Sequence, residues 1–492
     1  MGGRAKQYFC EMAKKLILIT VTLFLGTVSF GQKKWGLLEC VQYAMDSNIS
    51  IRQQEIQSKI SAITYKQSKL SRFPTANIGN SVGYRFGKSQ DPSTGILVNQ
   101  NYFQIGLNLQ SSAVIFNWFT KKNEILASEW SMQAAQAATD KMKNDISLTV
   151  ANAYLQVLLT REQQKIAASQ LQMDSSQLSI VQKQVAAGAL PELNAVEQEA
   201  QLATDSASYI TAAGNVDQAL LVLKANMGMD AAEPFEIEEP PADQIPLLPL
   251  GDLQPQDVYA EALASQPLQK FDLYSLRAAE KNTLAARGAL YPTLAIFGSL
   301  GTNYGFYKTP TYAQVFSGYT PSGLVIDNGA GYTNVLAPVY TKGAKNGYIK
   351  SPGLGTQFND NFGQTIGLNL SIPIFNGWQT KATYEKARLN VRSLENQVEL
   401  DNQSLKQNIY QAYNAVIVAL HTFTSSRKSV EAAQKSYDFA LQRYNIGMLT
   451  TLELITDQNN LFRAKLQFVA NQFDYVFKMK VLEYYKGHGI KF

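Results

Sequence analysis

Between residues 76 and 86, Ala76, Ile78, Val82, Tyr84 and Phe86 alternate with Asn77, Gly79, Ser81, Gly83 and Arg85. The period of two returns at 102–110, where Phe103, Ile105, Leu107 and Leu109 alternate with Tyr102, Gln104, Gly106, Asn108 and Gln110. It appears again at 293–304, with Leu294, Ile296 and Leu300 on one face, and at 361–371, with Phe362, Ile366, Leu368 and Leu370 on one face. This pattern predicts four strands, each with one apolar face and one small or polar face. Each is about ten residues long, the length a tilted strand needs to cross hydrocarbon. A Gly/Asn/Ser/Pro-rich stretch at 87–100 predicts a hairpin loop. Its counterpart at 305–360 reads as a longer loop rich in Gly and Tyr, and long barrel loops normally face outside the cell.

Around the strands the period is helical. Leu37, Leu38, Val41, Ala44 and Met45 predict a helix over about 36–71, stopped by Pro74, and a second helix at about 256–289 runs to Pro292. After the second and fourth strands, 119–187 and 378–446 contain neither glycine nor proline. Helices of about 70 residues would be roughly 100 Å long. Their surfaces are largely polar with modest apolar seams such as Leu148, Ala151, Leu155 and Leu158, so they need neighbours to be stable.

The whole order occurs twice. Ile105-Gly106-Leu107-Asn108-Leu109 returns as Ile366-Gly367-Leu368-Asn369-Leu370, and Ile115-Phe116-Asn117-Trp118 returns as Ile374-Phe375-Asn376-Gly377-Trp378. Phe116 stands as far before Gly188 as Phe375 does before Gly447. The expected organisation is a signal peptide at 1–32, a first repeat at 33–229 with its long helix at about 118–187, a connector at 230–255, and a second repeat at 256–492 with its long helix at about 378–446. Pro234, Pro240, Pro241, Pro246, Pro249 and Pro255 rule out regular helix in the connector, whose first part is made acidic by Glu233, Glu236, Glu238 and Glu239. In the leader, Lys14 and Lys15 precede an apolar run from Leu16 to Val28, and Ser29, Gly31 and Gln32 offer a cleavage region. Met12 competes with Met1 as the translation start. No later stretch is apolar for long enough to make a transmembrane helix.

Composition excludes more than it suggests. The net charge is +5, of which the leader carries three, so bulk charge does not point to nucleic acid. Cys10 belongs to the leader. Cys40, left alone, excludes an intrachain disulfide or cysteine metal cluster and reads as a small apolar residue of the first helix. Gly79-Asn80-Ser81-Val82-Gly83 matches a nucleophile elbow, but it lies inside an alternating strand, and only His421 and His488 could serve as base. Two histidines, ten thinly spread methionines and no phosphate-binding loop predict neither an enzyme nor a cofactor.

Four strands with one apolar face cannot close a barrel, and lipid does not tolerate open sheet edges. Copies of the chain must pool strands: two copies give eight, barely enough to hold side chains, while three give twelve and begin to leave a channel. The predicted fold class is therefore a mixed α and β membrane protein, a duplicated helix-strand-strand-long helix-helix unit. As a trimer it would form a 12-stranded β-barrel.

This order, with Val185-Ala186-Ala187-Gly188 and Tyr444-Asn445-Ile446-Gly447 ending the long helices and Leu193 and Leu452 in register after them, resembles the TolC family of outer-membrane efflux proteins. The resemblance covers almost all of the mature chain. It implies a homotrimer whose 12-stranded β-barrel, in outer-membrane lipid, is continuous with a long periplasmic α-helical barrel, and which works with a periplasmic adaptor and an inner-membrane pump. It places the glycine turns at a periplasmic tip that closes the entrance, with Glu453 on the carboxylate position lining the constriction. Three copies of Glu453 would form an acidic ring favouring cations. The next family carboxylate falls on Thr456, with Asp457 beside it. The first repeat has Asn194 where the family often has aspartate, the gate's tyrosine matches Tyr444, and the family's arginine is replaced by Leu449.

Several residues have competing roles. Thr450-Thr451-Leu452-Glu453 is also a capping-box pattern, and Gly188 and Gly447 are simple helix C-caps with Pro191 opening the next helix. Trp118 and Trp378, just after strands, read as interfacial aromatics or as packing at a bend. Arg85 on the polar strand face could face a barrel lumen. The functional reading is a passive export duct for small molecules. The alternatives are the duct of a type I protein secretion system and, from another class, a coiled-coil envelope protein with a binding loop at 305–360.

Overall fold

A computed structural model describes residues 34–90, 97–99, 101–241, 245, 247–327 and 329–487. The expected leader with Cys10 and Met12, part of the 87–100 loop, Pro246 and His488 lie outside the described residues. The first half runs β1 (Lys34–Trp35), α1 (Leu37–Ser47), α2 (Ile49–Leu70), β2 (Thr75–Arg85), β3 (Lys88–Gln90), β4 (Leu97–Asn99), β5 (Tyr102–Phe116), α3 (Thr120–Ala186) and α4 (Glu192–Met227). After β6 (Glu236–Ile237) come α5 (Pro255–Ser265), α6 (Pro267–Gly288), β7 (Thr293–Phe306), β8 (Lys308–Asp327), β9 (Tyr332–Lys350), α7 (Leu354–Asp360), β10 (Gly363–Ser371), α8 (Gln379–Asn445) and α9 (Thr451–Tyr485). Among the described residues no helix is long and apolar enough to cross a membrane.

Two compact units result. One holds the described residues up to Ile63, Glu129–Ala278 and the described residues from Asn390; the other holds those of Thr64–Ser128 and Ala279–Leu389. The second unit is built on a four-stranded antiparallel sheet in the order β10-β7-β5-β2. Register carries the alternation across the strands. Leu109 sits between Ile78 and Leu300, and Ile105 between Val82 and Tyr304. Through the pleat, Asn108 pairs with Gly79 and Gly301 on the other face. The apolar side is unpartnered: Ile78 and Ile366 are each 81% exposed.

The same unit corrects the expected 305–360 loop. β8 and β9 form a long two-stranded ribbon from Lys308↔Lys350 to Asp327↔Tyr332, followed by the short helix α7. Its length and its glycines and tyrosines suggested a loop, yet the segment is paired, and even Pro310, Pro321 and Pro338 are in register, opposite Tyr348, Leu336 and Tyr319. Each strand of a ribbon is an edge strand, so an N–H pointing outward can be missing without breaking the ladder. Bulges at Tyr312, Gln314, Gly318 and Val325 absorb the remaining irregularity.

The first unit is helical. One core gathers Leu37, Cys40, Val41 and Ala44 of α1, Val150–Leu158 of α3, and Leu223 and Met227 of α4. A second gathers Val258 and Ala262 of α5, Ile409 and Val416 of α8, and Met479 and Leu482 of α9. Fully burying such a side chain contributes about 1.5–3 kcal/mol. Cys40 is wholly buried, and burial pushes its thiol up to about 12, which keeps it protonated and inert.

The proline-rich connector lies on these cores. Ile237 is fully buried, and β6 pairs in parallel with β1. Glu483 accepts the Leu248 N–H at 2.7 Å and pairs with Lys480 at 2.8 Å, both side chains being buried. Each predicted single helix before the strands is in fact two. The breaks fall at Asn48 and at Gln266, where the following Pro267 disfavours helical backbone.

Candidate functional site

α3 and α8 are each 67 residues long and end alike. The Gly188 N–H donates to the Val185 carbonyl at 2.9 Å and the Ala189 N–H to the Gln184 carbonyl at 2.8 Å. In the second repeat Gly447 donates to Tyr444 and Met448 to Arg443, both at 2.9 Å. This is the Schellman pattern, and it requires a left-handed residue. Gly188 has φ +72° and Gly447 φ +75°, and a Cβ on either would meet nothing within 4 Å. Conformation alone therefore explains these glycines.

The two turns share a cleft of about 570 Å³ lined by Leu193 and Asn194 from one and by Tyr444, Gly447, Thr451 and Leu452 from the other. Tyr444 Oη lies 3.5 Å from Thr451 Oγ1, and the Asn194 N–H donates to the Pro191 carbonyl at 3.1 Å. Arg443 donates to the Met448 carbonyl at 3.4 Å, fastening its own turn. Leu449 lines the cleft without adding a charge.

Glu453 lies at the start of α9 and completes a capping box. Its Oε2 accepts from the Thr450 N–H at 2.9 Å and the Thr450 hydroxyl at 2.8 Å, while its own N–H donates to Thr450 Oγ1 at 3.3 Å. The Thr450 backbone and hydroxyl bonds, aided by Arg443, hold this exposed carboxyl below the usual range, so it stays ionised. Asp457 instead accepts the Ser436 hydroxyl at 3.2 Å and ties α9 to α8. The expected tip residues thus divide into a cleft group and two carboxylates with separate partners.

Behind the tip lies a polar network that the sequence pattern does not announce. Asp174 of α3 is fully buried, accepting from Gln170 at 3.2 Å and from Gln458 of α9. Asp205 of α4, also buried, touches Asp174 and accepts from Gln201 at 2.9 Å. Gln201 and Asn459 exchange amide bonds at 3.2 and 3.1 Å. Burial, then the neighbouring Asp205, push the Asp174 carboxyl up to about 7. The network joins three helices without a cation.

In the strand unit, Trp118 and Phe119 have φ of +51° and +63°, and Gly377 and Trp378 have +63° and +67°. The same left-handed pair therefore turns each strand into its long helix, and the two tryptophans occupy successive rather than equivalent places in it. Trp118 packs on Phe116 and Tyr291, with centroids 5.4 and 4.9 Å away, yet is 44% exposed; Trp378 is 59% exposed. Arg85 is on the polar sheet face, 3.5 Å from Tyr102 Oη. The serine of the elbow-like segment lies within β2, and His421 is exposed midway along α8.

A sequence profile of the family described as "Outer membrane efflux protein" matches residues 41–229 and 341–477. The chain belongs to that family. Outer membrane efflux protein BepC of Brucella suis is 22% identical over 80% of this chain and 73% of its own length. Outer membrane protein TolC of Escherichia coli is 22% identical over 94% of this chain and 84% of its own length. The crystal structure of CusC superposes with a TM-score of 0.73 at 17% identity, covering 94% of this chain and 96% of that one. The efflux protein is thus an outer-membrane protein extending into the periplasm, with the mixed helix and strand fold of its structural relatives.

Proposed function

We propose that three copies of this efflux protein assemble into a passive duct that carries small molecules out through the outer membrane. The observation that carries this reading is the pair of open edges on the sheet. β2 and β10 are the outer strands, and three successive antiparallel pairings make them antiparallel to each other. β10 of one copy can therefore pair with β2 of the next without changing the ladder. Lipid requires such closure, and twelve strands leave an aqueous lumen. The exposed apolar row of Ile78, Val82 and Ile366 would then meet lipid, Arg85 would face the lumen, and Trp118 and Trp378 would mark the inner membrane interface.

On this reading residues 1–32 are removed on export, the two repeats contribute alike to each copy's wall, and the long helices continue as a periplasmic barrel. The turns at Gly188 and Gly447 close the entrance until a periplasmic adaptor docks, and an inner-membrane pump supplies the energy. Tyr444 and Asn194 line the cleft that the two turns share, with Glu453 nearest the axis and Asp457 behind it. The family's efflux role supports small molecules as cargo. Native mass in mild detergent, corrected for bound detergent, tests the assembly: three chains are expected, and a stable folded monomer overturns it. A deletion strain that keeps its drug tolerance but loses secreted proteins would replace the cargo by protein.

A further inference from the structure

The β8–β9 ribbon carries an unbalanced charge. Between Lys308 and Lys350 the chain has four lysines, Lys308, Lys342, Lys345 and Lys350, and one acid, Asp327. That acid sits at the far turn, where it accepts the Gly329 N–H at 2.9 Å. All four lysines lie toward the opposite end: Lys308 directly across from Lys350, Lys345 across from Tyr312, and Lys342 across from Gln314. Like charges directly opposite on paired strands destabilise the pair. Among the described residues none of the four forms an ion pair with a carboxylate. The repulsion has no internal counter-charge.

Aromatic rings separate these charges. Lys342 Nζ stands 3.7 Å from the Tyr312 centroid and Lys345 Nζ 3.8 Å from the Tyr348 centroid. Tyr312 is 37% exposed and Tyr348 55%. Lys345 also donates to the Tyr348 hydroxyl, so each ammonium covers one face of a ring that is still partly exposed on the strip. A tyrosine offers a flat apolar face with a polar tip, a fit for a sugar ring that is apolar on its faces and hydroxylated at its edge. Lysine offers a mobile point charge suited to phosphate. The two together match a phosphorylated saccharide better than either a bare ion or an apolar peptide.

The ribbon follows the Phe306 end of β7 and precedes the Gly363 start of β10. The chain enters the long helices from the other sheet end, after Phe116 and Ser371. On the duct reading, on which this step rests, the ribbon end faces the outer leaflet. We propose that the lysine–tyrosine strip of the β8–β9 ribbon binds the phosphorylated saccharide headgroup of outer-leaflet lipopolysaccharide, Lys308, Lys342, Lys345 and Lys350 taking phosphates while Tyr312 and Tyr348 pack on sugar rings.

The test titrates full-length protein in nanodiscs with rough lipopolysaccharide, the same material dephosphorylated, and inorganic phosphate. Replacing the four lysines by glutamine should weaken lipopolysaccharide binding at least about tenfold, replacing them by arginine should keep it, and dephosphorylation should mimic the glutamine variant. Unchanged binding by the glutamine variant overturns the proposal. So does equal affinity for inorganic phosphate, which would indicate an ion site alone, or a Lys345→Cys disulfide between copies, which would make a second ribbon the occupant. Conductance of the same preparations separates the two readings: conducting channels that ignore lipopolysaccharide sink only the binding face, whereas protein that never conducts sinks the duct.

Discussion

Asn48 and Gln266 perform the same task in the two repeats. Each interrupts the helix that precedes a strand, at the same distance before Pro74 or Pro292, and each donates its side-chain amide to the last turn of a distant helix. Asn48 reaches the Asn226 carbonyl at 2.9 Å, at the end of α4; Gln266 reaches the Tyr484 and Tyr485 carbonyls at 3.1 and 3.3 Å, at the end of α9. Both side chains are buried. At the Asn226 and Tyr485 carbonyls no further turn follows, so the donated amide replaces a missing intrahelical bond, while the Tyr484 carbonyl also accepts the Gly487 N–H at 3.0 Å. Asn48→Ala also loses the bond its Oδ1 accepts from the Ser50 N–H at 2.9 Å. Each alanine variant should cost about 1–2 kcal/mol, with Asn48→Ala the larger, read as a lower thermal midpoint and faster proteolysis. Equal midpoints for wild type and both variants would refute the shared role.

The buried acids predict a pH dependence of definite sign. The Asp174 carboxyl is raised by burial and by Asp205, so the folded state holds its proton more tightly than the unfolded chain. Asp205 faces it from α4 and Gln458 from α9, while Tyr437 is near enough on α8 to feel its charge. Stability from this proton is complete below the ordinary aspartate range near 4 and is lost as pH rises through about 7. Asp272, raised to about 6 by burial and by Asp401, acts in the same sense. Packing around Asp174 should loosen with a slope of at most about 1.4 kcal/mol per pH unit. Hydrogen exchange near residues 170–178, corrected for intrinsic rates, should be faster at pH 8 than at pH 6. Asp174→Asn should flatten that difference; a variant as pH-sensitive as the parent would show that another group titrates.

Gly447 and Gly288 resist substitution for opposite reasons. Gly447 needs its left-handed backbone and has open space around it. Gly288 has an ordinary backbone, but a Cβ there would lie 2.4 Å from Thr120 Oγ1 and 2.9 Å from the Trp118 carbonyl oxygen. At Gly447, alanine should cost about 1–2 kcal/mol, and asparagine less, because asparagine tolerates that conformation. At Gly288 the order should reverse, the larger side chain being worse. Thermal midpoints of the four variants decide this, and the same ranking at both positions would contradict it.

The four sheet strands are legible in the sequence because the apolar set of each falls on one face, so parity alone puts Ile78, Leu109 and Leu300 on the same side. The long helices are legible from the want of glycine and proline. The ribbon is not, since Pro310 and Pro321 break a central strand but not an edge. Nor is the acid pair. Gln170–Asp174 and Gln201–Asp205 share their spacing with Gln434–Asp438, whose bond of 2.9 Å is exposed. Spacing along one helix does not reveal which face a neighbour covers, and burial alone separates a solvated pair from the one that raises Asp174.

Glu453 has two roles that a pair of variants can separate. As part of the capping box it accepts from Thr450, a function that glutamine retains in part, since its amide oxygen can accept the same bonds. As a charge near the axis of the proposed duct it favours cations, which glutamine abolishes. Glu453→Gln should therefore leave the thermal midpoint almost unchanged while lowering cation selectivity in planar bilayers; Glu453→Ala should lower both, because the capping box loses its acceptor. Because the Thr450 bonds hold the carboxyl below its ordinary range, selectivity should persist as pH falls through the usual glutamate value and fade only in stronger acid. Selectivity that is identical in wild type and Glu453→Gln would leave Glu453 as a cap alone and move the search for the charged constriction to Asp457, which Asp457→Asn would then test in the same bilayer.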